Sequence, residues 1–257
     1  MKFSGRTQPL YPRYSILEAM KVIKSLGFDG VEICLEVEEL NPDLISLLLI
    51  AQIREQVEVL GLSPHAIGFH VDYIFQDDLF EQTKTAIKLV SAFGSDILIF
   101  SGTTRRDGSQ EEWGRMLERT RELVKLAEDC GVLLAQEFEP GFIVGSTADL
   151  LRLMQDIPSK NLAVNLDLGH VFLCDPDPIK SIQQLGKKIV HGHIENMHLG
   201  VHDHQIPQDG DMDLDIYLKA LEAAGFNGAL ALDLYKYDYE SVAPSALAYI
   251  RSLLAGG

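Results

Sequence analysis

Residues 191–204 read HGHIENMHLGVHDH and hold five of the chain's eight histidines: His191, His193, His198, His202 and His204. Glu195 and Asp203 sit among them. Neutral imidazole and carboxylate are the usual ligands of a borderline divalent cation. The KKIV just before the cluster leads into what reads as a buried strand. A strand from Ile189 to Glu195 would put residues 191, 193 and 195 on one face, because side chains alternate along a strand. Polar residues are seldom grouped on a buried strand for packing alone, so this HxHxE face points to chemistry. The alternative is a polar surface hairpin with incidental histidines.

Other apolar runs also end in polar residues. His70 ends SPHAIGFH, Ser101 lies in DILIFSG, Glu137 and Glu139 in VLLAQEFE, Asp167 in NLAVNLDLGH and Asp233 in GALALDLY. Alternation places Ala135, Glu137 and Glu139 on one face and Leu134, Gln136 and Phe138 on the other. It separates Asn165 and Asp167 from Val164 and Leu166, and Ala229, Ala231 and Asp233 from Leu230, Leu232 and Leu234. One acid at a strand end is as readily a helix N-cap. Three on neighbouring strands, with a histidine between, would raise one another's pKa unless a cation joined them. Glu139 is the alternative to Glu137 if the register slips by one pair. Glu32 and His191 read as buried supporting residues.

These residues need elements to hold them. Ser15 with Glu18 forms a capping box for a first helix that stops at Gly27. FDGVEICLE follows as a strand. Asn41-Pro42 reads as the start of a helix running to Gly61. Residues 79–93 form a helix ended by Gly94. Ser109 with Glu112, Ser146 with Asp149, Asp177-Pro178 and Asp213 open further helices, and residues 241–254 close the series. With KFSG as the first strand there are eight strands and eight helices in strict alternation. The strands are near-continuous apolar runs, as in a parallel sheet covered by helices. One (β/α)8 barrel over residues 1–257 fits best, with an open doubly wound sheet as the alternative. Active sites of such barrels lie at the C-terminal strand ends, where the polar residues fall.

Composition narrows the function. The length of 257 residues suits such a barrel. Hydrophobic residues make up 46%, enough for a sizeable core. The formal net charge of −16 opposes a nucleic-acid partner or an anionic membrane surface. Cys34, Cys130 and Cys174 are an odd, scattered set that suits a reduced cytoplasm. MKFSGRTQPLYPRY lacks an apolar signal core. LISLLLIA is far shorter than the ~20 residues of a membrane span. A cytoplasmic protein is expected, with self-association left open.

Taken together, Glu137 in LLAQEFEP, Asp167 and His170 in NLDLGH, His193 in HGHIEN and Asp233 in ALALDLY resemble the xylose-isomerase-like TIM barrels. That superfamily holds sugar isomerases and epimerases and the family 2 AP endonucleases. FDGVEI and QDGDMDLDIYLKALEAAGFNG carry the same likeness, which covers nearly the whole chain. It implies a single (β/α)8 TIM barrel and one divalent ion, Mn2+ first, with Co2+, Mg2+ or Zn2+ as alternatives. The implied ligands are Glu137, Asp167, His193 and Asp233, and His170 would contact a substrate oxygen. The chain departs from the ketose epimerases at three places. Asp233 stands where they carry Glu, Ile143 where they carry a sugar-binding Glu, and Leu199 where they carry an Arg.

The expected activity is isomerisation or epimerisation of a small polyhydroxylated ketone or aldehyde through an enediolate. The cation would act as Lewis acid, with Glu137 and Asp233 as acid and base. His170, His70, His202, His204 and Glu195 are the candidate substrate contacts. His70 is equally readable as a core histidine, and His202 and His204 as exposed residues or ligands of a second ion. A dehydratase of a cyclic polyol ketone is the second reading, and a non-catalytic sugar-binding barrel the third.

Overall fold

Side-chain caps fix several helix starts in the computed structural model, which describes residues 1–255. Helix α1 (Ile16–Ser25) starts at Ser15, whose backbone N–H donates to the Glu18 carboxylate at 3.1 Å. Ser109 accepts from the Glu112 N–H at 3.1 Å and opens α4 (Gln110–Cys130). Glu112 does not complete a capping box; its carboxylate accepts from the N–H groups of Arg106 and Gly108 in the preceding loop. Ser146 and Asp177 cap α5 (Thr147–Asp156) and α7 (Pro178–Leu185) in the expected way. Gly61 and Gly131 close α2 (Leu47–Leu60) and α4 in the left-handed conformation that glycine adopts without steric cost.

Eight parallel strands close into a barrel. They are β1 (Lys2–Arg6), β2 (Gly30–Cys34), β3 (Ser63–Gly68), β4 (Ile97–Phe100), β5 (Leu133–Gln136), β6 (Leu162–Asp167), β7 (Ile189–Ile194) and β10 (Ala229–Leu232). An antiparallel hairpin, β8 (Asn196–His198) and β9 (Val201–Gln205), follows β7 outside the ring. The remaining helices are α3 (Asp77–Leu89), α6 (Leu168–Cys174), α8 (Leu214–Ala223) and α9 (Tyr239–Ala255). None of the described helices is long and apolar enough to cross a membrane.

The period-2 pattern sorts the strands as the sequence implies. Leu134, Leu166, Leu230 and Leu232 join the main core between barrel and helices. Ala66, Ile99 and Ala135 form a separate small cluster. Above them the interior turns polar: Ser4, Arg6, Glu32, Asn165, His191 and His193 are all buried. Asp167 pairs in register with His193, and His193 with Ala231, which puts neighbouring strand ends side by side.

Two local expectations change. Helix α2 begins at Leu47 with Ser46 as its cap, not at Asn41-Pro42. The Asn41 side chain instead accepts from the Asp43 N–H at 3.0 Å. Such a local turn competes with capping for the same side-chain oxygen. The DLGH segment is not an extension of β6. Asp167 ends the strand and accepts from the His170 N–H at 2.7 Å, so α6 starts at once.

Candidate active site

The barrel order places β5, β6, β7 and β10 consecutively. Glu137, Asp167, His193 and Asp233 project from the ends of these four neighbours. They converge on the Nδ1 atom of His193, which lies 3.2 Å from Glu137 Oε2, 3.6 Å from Asp167 Oδ2 and 3.8 Å from Asp233 Oδ2. All four side chains are buried. Glu137, Asp167 and His193 have ligand atoms close enough to share one ion. Asp167 Oδ2 is buried with no hydrogen-bond partner. A buried carboxylate oxygen without a donor is costly, and a cation at this point would satisfy it. The donor set, three carboxylate oxygens and one imidazole, fits a divalent ion.

Supporting contacts orient the cluster. Asn165 donates to Glu137 Oε2 at 2.5 Å, and its carbonyl oxygen lies 2.8 Å from His191 Nδ1. Glu32 Oε2 lies 3.0 Å from His193 Nε2. With that nitrogen donating to Glu32, Nδ1 is left facing the acids, which is how outer partners fix a ligating histidine. Burial pushes the Glu137 carboxyl up, but His193, His70 and His170 outweigh it and hold it at about 2. Burial disfavours the His193 imidazolium, yet Glu137 and Glu32 raise its pKa well above the ordinary range. A proton on Nδ1 therefore occupies the place a cation would take.

A second group adjoins the first. His170, His202 and His204 bring their Nε2 atoms together, at 3.0 Å and 3.1 Å. His170 Nδ1 faces the Phe138 carbonyl at 2.9 Å, and His204 Nδ1 the Asp233 carbonyl at 3.2 Å. His204 is the one non-glycine residue with positive φ among those described, at 27°. The β8–β9 hairpin thus carries His202 and His204 back over the strand ends. His70 lines the cavity beside Glu137 and Glu139, and its Nε2 is buried without a partner. Burial, and then Glu137, raise the pKa of Glu139.

The cavity among these groups measures about 460 Å³, the size of a small-molecule site. It is lined by Glu137, His193 and Asp233, by His70, His170, His202 and His204, and by Arg6, Gln8 and Tyr235. Glu195 is absent from that lining, although one of its carboxylate oxygens lies within 4.8 Å of ligand atoms of Asp167, His204 and Asp233. It is fully buried, and its Oε1 accepts from the Gly169 N–H at 2.7 Å. Strand β7 ends one residue earlier, and the turn into β8 aims Glu195 at α6 instead of the cavity. Burial, with Asp167 and Asp233 nearby, raises its pKa well above the carboxylate range. His198 stands apart, half exposed and 3.1 Å from Asp203.

Arg6 is the group that sequence reasoning missed. It is 1% exposed. Its Nε donates to Glu32 Oε1 at 2.8 Å, and its Nη1 donates to Asp233 Oδ1 and to the Tyr235 hydroxyl. A lone cation at the C-terminal end of a short first strand carries no motif. The available signal was alternation in KFSGR, which sets Ser4 and Arg6 on the face opposite Phe3.

A closed parallel (β/α)8 barrel with a polar cavity at its C-terminal strand ends defines the architecture of the TIM-barrel proteins. Within that class the chain belongs to the xylose isomerase-like TIM barrel family, whose model matches residues 20–253. It is similar to fructoselysine 3-epimerase of Shigella flexneri, with 25% identity over 95% of each chain. The fold is also that of a probable 3-DHS dehydratase, AsbF, of Bacillus anthracis. The two superpose with a TM-score of 0.85 at 17% identity, covering 98% of this chain and 99% of the other. The IOLI protein, solved with a bound zinc atom, gives a TM-score of 0.82 at 21% identity, covering 100% and 97%. Related proteins thus include sugar epimerases and dehydratases.

Proposed function

We propose that the protein is a divalent-metal-dependent isomerase or epimerase of a small polyhydroxylated ketone or aldehyde. The observation that carries this is the convergence of Glu137, Asp167 and Asp233 on His193 Nδ1 beside an unpartnered Asp167 oxygen. These four residues would hold the ion. A bound divalent ion supplies Lewis acidity to neighbouring carbonyl and hydroxyl oxygens. Glu137, at the cavity wall, takes the carbon-bound proton next to the carbonyl. Asp233 closes the other end of the four-strand arc and faces the same space through Oδ2. In epimerisation it would return a proton from the other side, directly or through water. His170, His202 and His204 bind substrate hydroxyls, as does His70 beside Glu137 and Glu139. The 3-epimerase relatives support a sugar-like substrate.

One observation favours a second reading. Ile143 is buried in the hydrophobic core, and Leu199 is 74% exposed at the hairpin turn. Neither offers the cavity a polar group, so the ketose contacts of the epimerases are lacking. A dehydratase of a cyclic polyol ketone would use the same proton abstraction and then expel hydroxide.

The test is a panel of ketoses and cyclic polyol ketones incubated with Mn2+-loaded protein in deuterium oxide and followed by NMR. Deuterium at the reacting carbon of an isomeric product is expected. An unsaturated or dehydrated product would select the second reading. Turnover with no exchange of the carbon-bound hydrogen would exclude the two-base route through Glu137 and Asp233.

A further inference from the structure

We propose that Arg6 is a positioning residue, an internal counter-cation that ties one oxygen of Asp233 and so sets how the site holds its divalent ion. The inference rests on the metal-site reading above and concerns residues that reading does not use. Asp233 has two oxygens with different neighbours. Oδ1 accepts from Arg6 Nη1. Oδ2 faces His193 Nδ1 at 3.8 Å and His204 Nδ1 at 3.5 Å. With Oδ1 taken, only Oδ2 is free for a cation beside His193, and Asp233 is held to a single-oxygen contact.

The same guanidinium reaches the cluster by a second route. Its Nε donates to Glu32 Oε1 at 2.8 Å, and Glu32 Oε2 meets His193 Nε2 at 3.0 Å. Glu32 thereby links Arg6 to the nitrogen of His193 that points away from the acids. Arginine suits this task because its planar fork fixes two directions at once, whereas an ammonium is a point charge. Arg6 and Glu32 are 1% and 0% exposed, so water does not screen them. Tyr235 Oη accepts from the same Nη1.

Two effects follow from removing this cation. Glu32 and Asp233 lose their partner, which destabilises the protein without metal. A divalent ion then meets one positive charge fewer and a carboxylate free to bind through both oxygens. Stability and metal affinity should therefore move in opposite directions. A merely structural arginine would lower both.

The experiment titrates Co2+ into chelator-treated wild type, Arg6→Met, Arg6→Lys, Glu32→Gln and the double variant Arg6→Met with Glu32→Gln. Calorimetry gives affinity, visible absorption gives coordination, and melting without metal gives stability. Arg6→Met should melt lower without metal and bind Co2+ about tenfold more tightly or better, with a changed absorption band. Arg6→Lys keeps a charge beside Asp233 and should stay within about threefold of wild type. The double variant removes the unpaired Glu32 charge and leaves Asp233 as the one freed carboxylate; it should bind Co2+ more tightly than Glu32→Gln alone, and that comparison carries the test if Arg6→Met does not fold. Folded variants lacking Arg6 that bind Co2+ no more tightly than the matching protein that keeps Arg6, with an unchanged spectrum, would overturn the role of Arg6 alone. Folded wild type that takes up no Co2+ would overturn the metal reading and this inference with it.

Discussion

At the scale of single residues, His193 decides most of the behaviour expected of the site. Its two nitrogens face opposite ways, Nε2 to Glu32 and Nδ1 to the acids. His193→Ala removes the one imidazole of the set, and the variant should purify without bound metal where wild type carries close to one ion per chain. Elemental analysis of both proteins reads this directly, and equal metal in the two would move the ligand assignment elsewhere. Charge gives an independent check. Glu137 and Glu32 outweigh burial and raise the folded pKa of His193 above its unfolded value of about 6.5. A raised histidine stabilises the fold fully below that unfolded value, and the contribution is lost as pH climbs through the folded one. A divalent ion replaces the proton. The melting-temperature gain from Mn2+ should therefore grow between about pH 6 and about pH 8.5. A gain that stays level or shrinks over that range would mean that His193 gives up no proton to the ion.

At the scale of elements, α6 and the β8–β9 hairpin hold the acid cluster from outside, and their junction is tight. Gly169 lies under Glu195 and Met197, and a Cβ there would fall 2.7 Å from Met197 Cγ and still closer to Glu195 Oε1. Gly169→Ala should cost about 1–3 kcal/mol of stability through overpacking. It should also weaken metal binding, because Asp167 caps the same helix. Ser109→Ala is the matched control. It removes the α4 cap at a cost of about 1 kcal/mol and should leave metal binding unchanged. Denaturant melts with metal titrations separate the two, and equal metal loss in both would deny α6 any special part. These elements also show what could be read in advance. Ser15, Ser109, Ser146 and Asp177 marked helix starts because a short polar side chain answers a free backbone N–H locally. The start of α2 was misread because Asn41 can form a turn with the same oxygen. Alternation gave the faces of β5, β6, β7 and β10, and with them the acids and His193. It could not give Arg6 its partners, since Glu32 and Asp233 meet it only when β2 and β10 close on β1.

At the scale of the molecule, the four proposed ligands lie on one half of the ring. Strands β5, β6, β7 and β10 carry them, while β1, β2, β3 and β4 complete the circle. Without metal this half gathers Glu137, Asp167 and Asp233 in a buried space, in a chain already at −16. Arg6 and the buried histidines balance these charges, and despite burial Glu137 and Asp167 stay below the usual carboxylate range. A bound ion would take the place of the His193 proton and cross-link the strands. Ligand binding to the folded state alone contributes about 2.7 kcal/mol at a hundredfold excess over Kd. For a domain of this size each kcal/mol moves the melting temperature by about 2–4 °C. Saturation with Mn2+ should therefore raise Tm by roughly 5–10 °C, reversed by a chelator. The gain should be uneven. Hydrogen exchange should slow most in β5, β6, β7, β10 and the β8–β9 hairpin, and least in β3 and β4, which lend no ligand to the cluster. Asp167→Asn sharpens the test. The amide oxygen can still cap α6, but the charge, disfavoured by burial yet favoured by His170 and His193, is gone, so the metal-free variant should melt somewhat lower than metal-free wild type and gain less from Mn2+. An undiminished gain from Mn2+ would remove Asp167 from the ligand set. Uniform slowing around the whole ring in wild type would place the bound ion somewhere other than these four strand ends.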